Sequence, residues 1–463
     1  DATQSTAANK IKLYINGVEE TAFSSDTRSS LSNQDWGYNN NVAHYLGRNP
    51  NSDIRHFNGY LAEVFLIDGQ ALTPSSFTTT DLTTGQLIPK AYTGSYGTNG
   101  FKLNFSDNST TAALGTDTSP NGNTWTVNNL SVTAGSGNDS LVDTPTSYGT
   151  DTGVGGEVRG NYATWNPNDK DGSVTYSNGN LEATVTNGSV NSAYGTFSLS
   201  SGKWYWEIVI SGGNGSSSMI GVAEENKGTG RRWTAANGWY YYETGVLYNN
   251  ISSTSYGASY TNGDVIGVAL NMDNGSLVFY KNGTSQGTAY SVGTFSGKSI
   301  MPAIGNGGGA TVTYTLNAGQ RAFAYTAPSG FKALVDTNLP APVVAKPNTL
   351  MDVALWSGNG GSQTITLPGA FSPDFVWAKF RNQSYSHGLY DTVRGDDKRL
   401  VSNSDAAEGT VALGMESDGF VVEGSSSYND NNDLFVAWTW DAGSSTVTNT
   451  SGSISSQVRA IAS

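Results

Sequence analysis

Cysteine is absent from the 463 residues, and charge, histidine and long apolar runs are scarce. Without cysteine there is no disulfide, no thiolate nucleophile and no Cys-ligated zinc. Secreted proteins of higher cells are expected to use some disulfides, whereas a protein assembled in a bacterial cytoplasm and used outside is not. Charged residues make up 13%, with 24 Lys and Arg against 38 Asp and Glu, for a formal net charge of −14. That balance lacks the concentrated basic footprint of a nucleic-acid binder and disfavours docking on anionic lipid. The acidity reads as solubility suited to a salty exterior. No apolar stretch approaches bilayer-spanning length, and no signal-peptide or lipidation pattern is visible, so membrane insertion is not expected.

What is present points to strands. Glycines number 57, Asn, Ser and Thr abound, and aromatics reach 11%. Such a mixture suits short strands joined by tight turns, and it starves long helices of their usual residues. The aromatics supply enough apolar area for cores, so the polar composition does not imply disorder. The expected fold class is all-β: tandem antiparallel β-sandwiches joined by extended linkers. The length implies about two to four domains.

The stretch "GDVIGVALNMDNGSLVFYKNG" (263 to 283) shows the pattern in miniature. A continuous apolar run from Val265 to Met272 fits a strand covered on both faces, and Asp273-Asn274-Gly275 is read as a two-residue hairpin turn. Alternation through Leu277 and Phe279 leads to a second turn at Asn282-Gly283, so a three-stranded meander is expected. "KIKLYINGVEE" (10 to 20) repeats the device at Asn16-Gly17. The chain divides into a first sandwich block at 1–130, incomplete or permuted, then a linker at 131–156. A second sandwich follows at 157–335, then a proline-spaced stiff spacer at 336–350 and a third β-rich block at 351–463. In the first block, "TPSSF" (73 to 77) reads as a helical turn after a Thr cap. Strands in the third are expected at "DFVWAKFR", "GTVALGMESDGFVVEG" and "DLFVAWTW". Both termini read as cut, the third block as truncated at its C-terminus.

"KIKLYINGVEE", "YLGRNP" and "NGYLAEVFLIDGQALTPSSF" resemble the latter half of a LamG-like, concanavalin-type jelly roll, with "GFKLNFSDNSTTAALGTDTSPNGNTW" (100 to 125) resembling its displaced opening. "GKWYWEIVI", "IGVAEEN", "GDVIGVALNMDNGSLVFYKNG" and "MPAIG" fall in the order of a SPRY domain. That resemblance implies recognition through loops rather than catalysis. The whole arrangement is similar to virion-associated tail-fibre and surface-fibre proteins of marine bacteriophages. It implies a virion-surface location, extracellular after lysis, other virion proteins as partners, and a homo-oligomer, commonly a trimer. A host-surface glycan or protein is the implied ligand.

Concanavalin-type sandwiches also host glycosidases, which need two carboxyls across one bond. No run of alternating acids faces a cleft. Glu224 and Glu225 are adjacent and would point to opposite faces of a strand, Glu207 reads as a sheet-edge or ion-paired acid, and Asp396-Asp397 reads as a solvated turn. His44, His56 and His387 lack transition-metal spacing, and no Gly-x-Ser-x-Gly elbow is present. His387 lies close in sequence to Asp391 and Arg394 and reads as part of a polar cluster. Calcium is the open metal question, since such sandwiches often carry oxygen-rich loops. Neither "NPNDKDGS" (166 to 173) nor "YNDNNDLF" (428 to 435) meets a binding pattern. No cofactor and no catalytic residue are expected. The most suggestive binding stretch is "RRWTAANGWYYYETG" (231 to 245), where Arg231, Arg232, Trp233, Trp239 and Tyr241 combine flat apolar faces with polar edges. Against this, alternate members of 239–242 face inward if the stretch is a strand. The expectation is a non-enzymatic phage surface protein that recognises host glycans or proteins. The alternatives are a purely architectural decoration protein and a secreted bacterial polysaccharide-binding or polysaccharide-cleaving protein.

Overall fold

The computed structural model describes residues 3–31, 42–49, 52–80, 87–143, 149–186, 191–212, 218–225, 234–307, 310–340, 347–411, 413–424, 428–443 and 445–459. Almost every element in them is an antiparallel strand, and the α-helix among the described residues is the short Ala7–Lys10. The chain forms two compact units: Asp1–Thr3, Leu31–Ala71 and Thr93–Pro340, and then Gln4–Ser30, Leu72–Tyr92 and Ala341–Ser463. The first sequence block is shared between them, whereas 351–463 falls wholly within one. Its described strands form short pairs: β1 (Leu13–Ile15) with β2 (Val18–Glu20), β3 (Arg48–Asn49) with β4 (Ser52–His56), β5 (Val64–Leu66) with β8 (Phe101–Leu103), and β6 (Thr78–Thr80) with β7 (Leu87–Pro89). "TPSSF" forms the expected turn, a 3-10 helix at Pro74–Ser76. Thr73 makes no side-chain cap and meets the Ser75 hydroxyl instead.

The first unit is dominated by two seven-stranded sheets. One runs β10 (Val174–Ser177), β11 (Glu182–Val185), β22 (Val312–Asn317), β13 (Lys203–Ser211), β18 (Val265–Asn271), β19 (Ser276–Lys281), β20 (Thr284–Tyr290). The other runs β17 (Ser252–Ser255), β16 (Val246–Asn249), β15 (Gly238–Tyr242), β14 (Ser218–Glu224), β21 (Ile300–Asn306), β12 (Asn191–Gly195), β9 (Trp165–Lys170). Alternation decides what lies between them: Trp206, Ile208, Val268, Leu270 and Phe279 enter the same buried cluster as Ile220, Val222, Trp239 and Tyr241.

The meander of β18, β19 and β20 forms as expected, but its two turns differ. Lys281 pairs with Thr284 across Asn282-Gly283, whose φ angles of 45° and 75° make the two-residue turn. Asn271 pairs with Ser276, so the first loop spans four residues, not two. Of these only Gly275 has positive φ, at 72°, and Asn271 Oδ1 accepts the N–H groups of Asp273 and Asn274 to hold the loop.

The linker read at 131–156 and the first residues of the spacer read at 336–350 are hydrogen-bonded into this unit, while 341–346 lie outside the described residues. Gly135 N donates to Ala322 O, Val142 N to Gln320 O, Phe323 N to Val154 O and Ala327 N to Gly153 O. Val142 and Val158 are buried in the core. Asp336–Asn338 makes a 3-10 turn instead of an extended spacer, with Asp151 Oδ2 accepting from Ala333 N and Asn338 Nδ2 at 2.7 Å each. The 131–156 segment is polar-rich, yet its backbone groups find partners on residues 319–327, which is how an irregular cover is built over a sheet.

The second unit contains a smaller sandwich. Its six-stranded sheet runs β23 (Met351–Ser357), β31 (Leu434–Trp440), β25 (Phe375–Phe380), β26 (Gly388–Asp391), β27 (Gly395–Val401), β28 (Gly409–Thr410). The facing sheet is β24 (Gln363–Thr366), β30 (Gly419–Val422), β29 (Leu413–Glu416). Trp356, Val376, Ala378, Phe380, Tyr390, Phe435 and Ala437 meet Ile365, Leu367, Phe420 and Val422 in one buried cluster. A hairpin of β32 (Thr446–Asn449) and β33 (Ser456–Arg459) follows. The three strand expectations for this block are met.

Candidate functional site

Arg231, Arg232 and Trp233 lie outside the described residues. Trp239 and Tyr241 are corrected: they point inward from β15 and are 6% and 0% exposed. Trp239 packs edge-on against Phe295 at 5.1 Å, and Tyr241 sits among Tyr256, Tyr260 and Phe279, its hydroxyl donating to Ala258 O. Tyr240, on the opposite face, is also 0% exposed. Alternation on a central strand therefore withdraws the aromatic run from any ligand.

The acids separate. Glu224 pairs with Lys298 at 2.9 Å, while Glu225 accepts from the Ser198 hydroxyl. Asp396 and Asp397 lie on β27, not in a turn; Asp396 accepts Met415 N–H and Asp397 pairs with Lys398 at 3.5 Å. Arg394 binds Asp391 at 2.6 Å, but His387 stands apart from that pair, accepting instead from Trp377 Nε1 at 2.8 Å through its Nδ1. Among the described residues no group of three His, Asp or Glu side chains is placed to hold a metal.

Glu207 is the largest departure from the sequence reading. β13 lies between β22 and β18, so Glu207 is neither at a sheet edge nor ion-paired, and it is 1% exposed. Its carboxylate accepts Ala324 N–H and Tyr325 N–H at 2.8 Å each and the Tyr205 hydroxyl at 3.3 Å. Burial drives its pKa from the ordinary 4.5 up to about 7, although the three hydrogen bonds pull the other way. Both oxygens are occupied in fastening residues 324 and 325 over the sheet, which is a structural task.

The open chemistry is on the third block. In the six-stranded sheet, Ala354, Val376, Ala378, Phe435 and Ala437 point into the core, so their neighbours in sequence point outward. Register aligns these outward residues into rows. Val353, Trp438, Trp377 and Leu389 form one row across four strands, and Met351, Trp440, Phe375 and Asp391 another. Leu355, Val436 and Lys379 form a third. At ordinary strand spacing the rows cover roughly 14 Å by 13 Å. Trp377 and Trp438 meet at 5.8 Å, Phe375 and Trp440 at 5.3 Å, and His387 lies 5.7 Å from Trp377. Leu355 is 61% and Val353 42% exposed, while the aromatics are half-buried against one another. Polar groups edge the face: Lys379, His387, Asn403 and the Asp391–Arg394 pair. A contiguous aromatic and aliphatic face with a polar rim is the composition of a contact surface. Sequence reasoning missed it. The available signal was that both alternate sets in "DFVWAKF" and "DLFVAWTW" are apolar, which a sheet needs only when both faces meet something.

Residues 203–321 match the family model of the SPRY domain. Residues 346–463 match a family described as a domain of unknown function, DUF7483. The SPRY part of the sequence resemblance is thereby supported. The chain is 32% identical over 138 residues to a Ran-binding proteins 9/10 homolog of Drosophila melanogaster, an alignment spanning 27% of this chain and 14% of that protein. Among solved structures, the SPRY domain of human HERC1 is similar at 21% identity, covering 33% of this chain and 96% of that one, with a TM-score of 0.30. Stonustoxin is similar at 21% identity over 34% of this chain and 27% of its own, with a TM-score of 0.28.

Proposed function

We propose that the chain is a non-enzymatic recognition and structural protein of a bacteriophage particle, a tail fibre or surface fibre. In this reading its β-sandwiches present contact faces to glycans or proteins of the host surface. The observation that carries the reading is the outward aromatic face of the third block, with Trp377, Trp438, Phe375 and Trp440 on rigid central strands and a polar rim around them. SPRY domains are interaction modules, which agrees with a chain that grips without transforming. The buried, fully engaged Glu207 and the separated Glu224 and Glu225 give a hydrolytic mechanism no support. The order of LamG-like, SPRY and third-block sequences favours the fibre setting. Single contacts of this size are weak, and many copies on one particle raise them to useful avidity.

A purely architectural role is the second reading, favoured by the aliphatic Val353 and Leu355 beside the rings, which suit burial against a neighbouring virion protein. Binding of the full chain to a glycan array and to intact bacterial cells tests both. Trp377→Ala with Trp438→Ala is expected to weaken binding by about 30-fold or more, as for removal of central aromatic contacts. Unchanged binding by the double variant would refute the assignment of the face. No binding by the intact chain, with the face protected inside particles, would favour the architectural role.

A further inference from the structure

We propose that β23 pairs with the β23 of a second copy of this chain, joining two six-stranded sheets into one through an antiparallel twofold contact. β23 is an edge strand of seven residues, and no strand pairs with its other side among the described residues. Asp441 N donates to Leu350 O and Gly358 N donates to Asp433 O. Even-numbered positions therefore address β31, and the N–H and C=O groups of Met351, Val353, Leu355 and Ser357 face the free edge. The strand lacks most of the usual protections of such an edge: "MDVALWS" has no proline, no lysine and no bulge, and its register with β31 is continuous. Its acid, Asp352, is used internally, accepting Gly369 N–H and Val353 N–H at 2.8 Å each.

The chemical complement of that edge is another extended strand, and the strand complements itself. A twofold axis at Ala354 sets Leu355 of one copy opposite Val353 of the other, and Met351 opposite Ser357. Both pairings join odd-numbered positions, as hydrogen bonding across this edge requires. With Val353 N–H held by Asp352, roughly six backbone hydrogen bonds remain available. The register also keeps the two Asp352 side chains from lying opposite each other. Leu355, at 61% exposure, gains the neighbouring Val353 as cover, and the two outward apolar faces become continuous. This pairing stands independently of the recognition reading, since it needs no ligand.

Sedimentation of the full chain at micromolar concentration tests it. A dimer is expected. Leu355→Pro removes one edge-facing N–H without touching the β31 ladder and is expected to raise the dissociation constant about 100-fold. Ser357→Pro does the same at the strand end, where folding is least at risk. Ala354→Cys gives the cysteine-free chain a single thiol. The axial pair it forms lies about 4.5 Å apart between Cα atoms, within disulfide reach, so oxidation should yield covalent dimers. A monomer at every concentration would overturn the proposal. So would a trimer, or a dimer that resists both proline variants and in which the Ala354→Cys variant forms no crosslink.

Discussion

Glu207 makes the stability of the SPRY-matching domain fall as pH rises. Unfolded, the side chain titrates as an ordinary glutamate near 4.5; folded, it titrates at about 7. Between those values the native state holds more protons than the unfolded chain, so stability decreases with pH there. The contribution is fully present below pH 4.5 and is lost as pH rises through about 7. Integrated over that window, the loss is about 3 kcal/mol. Urea unfolding between pH 4.5 and 8.5, read by hydrogen exchange in the peptides covering β13 and residues 322–335, measures it directly. Glu207→Gln removes the titration but places an amide N–H against one of the two backbone donors, Ala324 N or Tyr325 N. The variant is therefore expected to be less stable by about 1–3 kcal/mol at acidic pH, with a flatter profile. Identical pH profiles for the wild type and Glu207→Gln would refute the account of a buried, proton-holding carboxyl.

Three further outcomes are expected. Gly283→Ala forces a side chain into φ 75° and brings its Cβ to 2.5 Å from the Tyr325 ring, costing about 1–3 kcal/mol, visible as a lowered Tm in calorimetry. Trp206→Ala empties a fully buried core position and should cost about 3–5 kcal/mol in urea unfolding; a loss below about 1 kcal/mol would contradict the core as described. Tyr241→Phe removes the hydroxyl that donates to Ala258 O but leaves the ring packing of a fully buried side chain, so a loss of about 1–2 kcal/mol in urea unfolding is expected.

Where pattern and chemistry are local, the sequence was readable. The Asn-Gly positions predict two-residue turns at Asn16-Gly17 and Asn282-Gly283, and both occur because Asn and Gly accept the required positive φ. Asp273-Asn274-Gly275 misled because its hairpin length is set by the side-chain acceptor Asn271, which a turn motif alone does not reveal. The meander followed from alternation. Glu207 was misread because "KWYWEIVI" places it on the non-core face of the sheet. Its burial comes from a segment far away in sequence, residues 323–325, which covers that face. Trp239 and Tyr241 were legible in principle: on a central strand, residues two apart share one face, and here that face is the core. The outward face of the third block escaped because its aromatics come from β25 and β31, distant in sequence and brought together only by register.

Hydroxyl-radical footprinting of the full chain, free and bound to host envelopes, addresses the central claim most directly. Oxidation of Trp377, Trp438, Phe375 and Trp440 should fall on binding, while Trp356, buried on the inner side of the same sheet, should stay unreactive in both states. Equal oxidation of the outward four with and without host envelope would contradict the assignment of this sheet as the recognition surface.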